Sequence, residues 1–253
     1  MRDNFVKAGG FTLAEVLITL GIIGVVAAMT LPTVINKYQE KVTVTKVKKM
    51  YSILSQAYEF AREEYGTPDL WGFGNRDTGA ENEDDDEYIA SNAAKMRDIL
   101  FKNVKTVQKC DSGGKKPACN VAKHYYTERG TEDFTMRNQL VSAALSDGSS
   151  VMIMVSSSYC GTRRGYGKFL EHECGWIMYD INGSKPPNAA GRDVFAFYLT
   201  KNGIIPVGTP DETFWIFSNP TGWGRTAWVI ANENLDYLKC PDTVGWDKQT
   251  KCN

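Results

Sequence analysis

Residues 7–37 read KAGGFTLAEVLITLGIIGVVAAMTLPTVINK, and the character of the whole chain turns on them. From Val16 to Asn36 there are 21 residues without a charge. That matches the roughly 20 residues a helix needs to cross about 30 Å of hydrocarbon. Glu15 nevertheless stands at the entrance to this run, five residues after the Gly9-Gly10 pair. Deep in lipid a carboxylate costs about 2.5–3.5 kcal/mol on insertion scales. Arg2 and Lys7 precede the run, and Lys37 and Lys41 follow it. The leading cations favour a cytoplasmic N-terminal end, although positive charge on both flanks weakens that guide.

Three readings compete. A secretory signal cut near Ala27-Ala28 requires a helix break soon afterwards, and the sequence shows none. A plain membrane anchor leaves Glu15 without a role. The third accounts for the details together: GG-FTLAEVLITLGIIGVVAAMTLP resembles the class III signal of type IV pilins and type II secretion pseudopilins, a prepilin-type cleavage and methylation signal. The resemblance implies that a prepilin peptidase cuts between Gly10 and Phe11 on the cytoplasmic side. The freed amine of Phe11 is then methylated, and Glu15 pairs with the amine of an adjacent subunit during assembly. The chemistry is coherent, because glycine puts no side chain in a protease's way and a carboxylate in hydrocarbon seeks a cation. Gly24 and Pro32 belong to the same assembly set. Pro32 lacks an N–H and crowds the carbonyl of Ala28, so a kink or local melting is expected. A simple kink at the membrane edge is the alternative.

Beyond Lys37 the apolar spacing becomes one-sided: Val42, Val47, Met50, Tyr51, Leu54, Ala57, Tyr58 and Ala61 recur at helical intervals. Gly66 and Pro68 supply the stop. One helix from Phe11 to Tyr65 would run about 80 Å, and no flexible linker interrupts it. The expected division is a leader over 1–10, a transmembrane and filament-core helix over 11–36, its amphipathic half over 37–66, and a globular head over 67–253.

Within the head, ENEDDDE (Glu81 to Glu87) reads as a solvated loop, and Asn92 to Val104 as an amphipathic helix with Met96, Ile99, Leu100 and Val104 inward. QLVSAALSDGSSVMIMVS reads as a hairpin turning at Asp147-Gly148. GWIMYDING (175–183) and DVFAFYLTKNGIIP (193–206) each read as a strand. Short turns between sequential strands indicate an antiparallel sheet. The fold class is therefore α+β, a long helix laid on a sheet, an order that resembles the pilin fold.

The chain has 253 residues, 42% hydrophobic, with a formal net charge of −1. That supports one sizeable core plus an appendage. It gives no bulk basic bias toward nucleic acid and no acidic tail. The six cysteines, Cys110, Cys119, Cys160, Cys174, Cys240 and Cys252, all follow the apolar run, and none forms a C-x-x-C pair. Export to an oxidising compartment makes disulfides the natural reading. Short loops close most easily, so pairing of sequence neighbours is the simplest connectivity. Buried free thiols are the alternative. The pilin resemblance adds the expectation that Cys240 and Cys252 close a C-terminal loop.

GTRRGYGKF (161–169) lacks P-loop spacing, and EHEC (171–174) lacks the second histidine of a zinc protease motif. The mixture of basic and aromatic residues in GTRRGYGKF is of the kind that binds single-stranded nucleic acid, but a solvated loop is the plainer reading. DINGSKPPNAAGRDVFAF resembles, more weakly, the strand-loop-strand segment of pseudopilin heads. Asp180, Asn182, Asn188 and Asp193 there carry oxygens of the type calcium takes, against the plainer reading of an Asn-Gly turn held by its own side chains. No other cofactor is implied. The resulting reading is a non-enzymatic filament subunit of a type IV pilus or a type II secretion pseudopilus. It would be held in the inner membrane with its head outward until it joins sister subunits through an assembly platform. The alternative is a minor pilin acting as a tip adhesin or DNA-binding subunit.

Overall fold

The structure is a computed structural model that describes residues 12–73, 86–111, 119–135, 141–156, 160–161, 172–213 and 216–252. Gly10 and Phe11, the stretch 162–169 and Glu171 lie outside the described residues. The chain divides into two compact units, Met1–Val42 and Thr43–Asn253.

Helix α1, Leu13–Tyr65, belongs in part to each unit. In the first unit its apolar side chains from Leu13 to Ile35, among them Leu17, Ile18, Leu20, Ile22, Ile23, Val25 and Val26, are exposed. A helix apolar on every side is suited to lipid or to a bundle. Thr19 and Thr30 turn their hydroxyls back onto the carbonyls of Val16 and Val26, each at 3.0 Å, so neither presents an unsatisfied donor to an apolar medium. Helix α1 runs unbroken through Pro32. Of the two outcomes expected there, a kink or local melting, melting is not seen: the proline removes one rung of the ladder without ending the helix.

In the second unit one stripe of α1 is buried: Val44, Val47, Met50, Leu54, Ala57, Tyr58 and Ala61. Tyr51 stacks on Phe197 with ring centroids 6.1 Å apart. Lys46 donates to the Ile181 carbonyl at 2.6 Å, and the Tyr58 hydroxyl donates to the Lys201 carbonyl at 2.5 Å. Gly66 ends the helix at φ +79°, a left-handed position glycine takes without strain, with its N–H on the Arg62 carbonyl at 3.0 Å. Helix α2 is Asp86–Leu100, six residues earlier at its start than the sequence suggests and four earlier at its end. Asp86 and Glu87, expected in a solvated loop, are its first two residues. Ala93, Met96, Leu100 and Phe101 are buried, while Ile99 and Val104 are only half-buried.

Strands β1 (Thr106–Cys110), β4 (Val141–Leu145), β5 (Ser150–Val155), β6 (Glu173–Asp180), β7 (Val194–Thr200) and β8 (Gly203–Pro206) form one antiparallel sheet in the order β1-β4-β5-β6-β7-β8. Strands β2 (His124–Tyr126) and β3 (Glu132–Thr135) make a separate two-stranded ribbon. Segment 193–206, expected as one strand, is two, because the chain reverses at Lys201-Asn202. Alternate residues divide the core. Val151, Ile153, Ile177, Tyr179, Phe195 and Phe197 share a cluster with α1 and α2. Met152, Trp176, Met178, Ala196 and Tyr198 share another with Val121, Tyr125, Val207 and Trp223. Both faces of the sheet are thus covered, one more layer than a helix-on-sheet pair, which is why β4, β6 and β7 are buried throughout.

The disulfides join Cys110 to Cys119, Cys160 to Cys174 and Cys240 to Cys252. Helix α3 (Thr226–Asn232) and a 3-10 turn at Asp236–Leu238 lead into the last of these loops. At Gly208, φ +90°, an added Cβ would lie 1.9 Å from the Gly224 carbonyl oxygen, so only glycine lets the two backbones meet.

Replacing Cys240 and Cys252 together by serine frees a loop with a sequence separation of 12. Chain entropy puts the loss at about 3 kcal/mol. The full chain in detergent should show a clearly lower urea midpoint than wild type under non-reducing conditions. An unchanged midpoint would mean that the loop is held by the Asp236 carboxylate, which accepts from the Cys252 N–H at 2.9 Å.

Candidate functional site

At its N-terminal end α1 is closed by two residues that cap each other. The N–H and hydroxyl of Thr12 both donate to Glu15 Oε2 at 2.8 Å, and the Glu15 N–H donates to Thr12 Oγ1 at 3.2 Å. This is the reciprocal capping box of a T-x-x-E sequence, and it holds the carboxylate over the helix end, where the peptide dipoles favour negative charge. Thr12 was not singled out from the sequence, although TLAE carries the signature in plain view. Gly24 lies in the exposed apolar section, with no atom within 4 Å of where a Cβ would stand. By length and composition α1 can cross a membrane.

The four residues named for calcium meet in one loop after β6. Asp180 Oδ1 accepts from the Asn182 N–H at 3.2 Å, an Asx turn, and Oδ2 accepts from the Tyr125 hydroxyl at 3.3 Å. The two carboxylate oxygens of Asp193 accept from the N–H groups of Asn188, at 2.9 Å, and Ala189, at 2.7 Å. Asn182 donates from its amide to the Pro186 carbonyl at 3.3 Å. The amide nitrogen of Asn188, assigned from its surroundings, faces the carbonyls of Lys185 and Gly183. The carboxylate oxygens are therefore engaged by N–H and O–H donors that brace the loop. Among the described residues no three His, Cys, Asp or Glu side chains converge. Burial, and then the nearby charge of Asp193, push the Asp180 carboxyl up to about 8. Burial also raises Asp193 and Tyr125 above their ordinary values. Tyr125 was missed from the sequence because it lies 55 residues from Asp180.

Residues 6–31 match the family model described as "Prokaryotic N-terminal methylation motif". That match, with the long helix and antiparallel sheet, defines a type IV pilin-like protein, whose signal implies processing by prepilin peptidase and association with other pilins. The chain belongs to the family described as "Family of unknown function (DUF6613)", whose model matches residues 33–206. No curated protein and no solved structure matches the chain.

Asp180 yields a pH prediction with a definite sign. Its raised pKa means that the folded chain holds this proton more tightly than the unfolded chain. Its contribution to stability is therefore complete below the ordinary 3.8 and is lost as pH rises through about 8. Wild type should lose thermal stability between about pH 5 and pH 9. Asp180→Asn, which cannot ionise, should flatten that slope, and parallel profiles for the two proteins would refute the assignment.

Proposed function

We propose that this chain is a structural subunit of a type IV pilus or of a type II secretion pseudopilus. The single observation that supports it most is the union, in one element, of the methylation-type signal, the capped Glu15 and a helix that continues from exposed apolar turns into the buried stripe of the head.

The sequence of events follows from the chemistry. The peptidase releases residues 1–10, and Phe11 becomes the methylated N-terminus. The apolar part of α1 waits in the inner membrane with the head on the outer side. At the assembly platform it exchanges lipid for the helices of sister subunits. Each CH₂ group that remains out of water in the bundle contributes about 0.8 kcal/mol relative to exposure, so a helix once extracted is strongly driven to stay packed. Glu15 meets the amine of a neighbour, which compensates a carboxylate that lipid and bundle alike would penalise. Gly24 gives a neighbouring helix room for close approach. The work done is assembly rather than catalysis.

Mass spectrometry of the native protein should find N-methyl-Phe11 as its first residue; a chain still beginning at Met1, or trimmed past Ala28, would end the proposal. Glu15→Ala should be cleaved normally but yield few filaments. Glu15→Gln keeps an acceptor for Thr12 and loses the charge. If the charge is what assembly needs, Gln will assemble as poorly as Ala, and recovery of filaments in Gln would reassign Glu15 to capping alone.

A further inference from the structure

We propose that the head carries a binding groove for a free fatty acid, a single apolar chain ending in an anionic group, in the trough between α1, residues 103–105 and the turn that joins β4 to β5. The groove has a volume of about 260 Å³. Every residue that lines it belongs to the second unit, so the inference stands apart from any role of the first half of α1 in assembly.

Shape sets the first limit. The α1 residues on the wall run from Lys49 to Phe60, which is about 16 Å of helix at about 1.5 Å per residue. The volume spread over that length gives a mean cross-section of about 16 Å². A helix about 10 Å across needs roughly 80 Å² to be seated within a groove. An extended peptide, with strand and sheet spacings of about 4.8 and 10 Å, needs roughly 48 Å². A single hydrocarbon chain is the slender occupant that remains, and a lipid with two chains is too wide.

The floor is apolar. Lys49, Ile53, Gln56 and Phe60 stand at intervals of four, three and four residues, so they share one face of α1. Ile53, Ala57 and Phe60 line the groove from that helix, and Val104 and Leu145 line it from the other elements. Phe60 is 53% exposed, a large aromatic surface that the described residues of the head leave open to water. Hydrocarbon laid along it removes apolar area from water, which is favourable.

The rim supplies the sign of the charge. Lys49, Lys105 and Asp147 all border the groove. Asp147 is already engaged: its Oδ1 accepts from the Ser149 N–H at 3.1 Å and from the Ser149 hydroxyl at 2.5 Å. Lys49 stands 3.9 Å from its Oδ2, an exposed pair of little strength. Lys105 is exposed and, among the described residues, has no ion-pair partner. Two cations against one committed anion leave the rim net positive. A carboxylate end group accepts from lysine N–H donors, an uncharged end gains no ion pair, and an ammonium end is repelled.

The test places the full chain in nanodiscs of zwitterionic phosphatidylcholine and adds dodecanoic acid carrying a photoreactive diazirine on its chain. Irradiation, digestion and mass spectrometry locate the label, and labelling of the apolar stretch 13–35 supplies the internal reference. Peptides containing residues 49–60 and 103–105 should be labelled, and unlabelled dodecanoate should compete. Substituting the matching fatty alcohol as probe, or Lys105→Gln or Phe60→Gln in the protein, should each lower groove labelling at least about tenfold, the effect of losing roughly one well-made contact. Both substitutions are at exposed positions and should leave thermal melting unchanged; Lys49→Gln serves if either melts early. Label confined to 13–35, equal labelling by acid and alcohol, or labelling unchanged in the variants overturns the proposal. So does a photoreactive phosphatidylcholine that labels the groove as strongly as the acid, which would assign it to membrane lipid.

Discussion

The head is organised by the packing of one helical stripe onto one sheet face. Val47, Met50, Leu54, Ala57, Tyr58 and Ala61 of α1 lie in the same cluster as Ile153, Ile177, Phe195 and Phe197. A buried side chain of this kind contributes about 1.5–3 kcal/mol, so the stripe as a whole is worth on the order of 10 kcal/mol, as much as the net stability of a typical domain. The head therefore has no finished core without the second half of α1. Helix α1 is one continuous element from Leu13 to Tyr65, so the exposed apolar turns and the buried stripe belong to the same helix.

Polar groups at this seam are placed to tighten it. Lys46 and Tyr58 each donate to a backbone carbonyl of the head, those of Ile181 and Lys201. Arg97, 3% exposed, reaches from α2 to the carbonyl of Cys110 at 2.9 Å and pairs with Asp111 at 2.7 Å. Buried donors with partners cost little, whereas the same donors without them would be expensive. These bonds therefore fix which packing is adopted more than they add to its strength.

How much of this was readable beforehand depends on how local each signal is. Helix α1 announced itself through an uncharged run followed by helical spacing, and the β4–β5 turn through Asp147-Gly148. Strand β1 did not, because as an edge strand its TVQKC sequence is mostly exposed and carries no clean alternation. The ribbon β2–β3 is too short to leave a pattern. The start of α2 was hidden inside an acidic run that resembles a solvated loop. At the candidate sites, Glu15 stood out because carboxylates are rare in such surroundings, and the role of Thr12 was legible but unread. The partnership of Asp180 with Tyr125 is a product of the fold and has no signature in any one stretch.

The Thr12–Glu15 box has a bearing on proteolysis. Every bond in it is made by residues on the C-terminal side of the Gly10-Phe11 junction. Scission at that junction would leave the first turn of α1 already closed, so precursor and product would share the same helix start. Exchanging the cap for an intermolecular partner would then be a separate, later event that the enzyme need not drive.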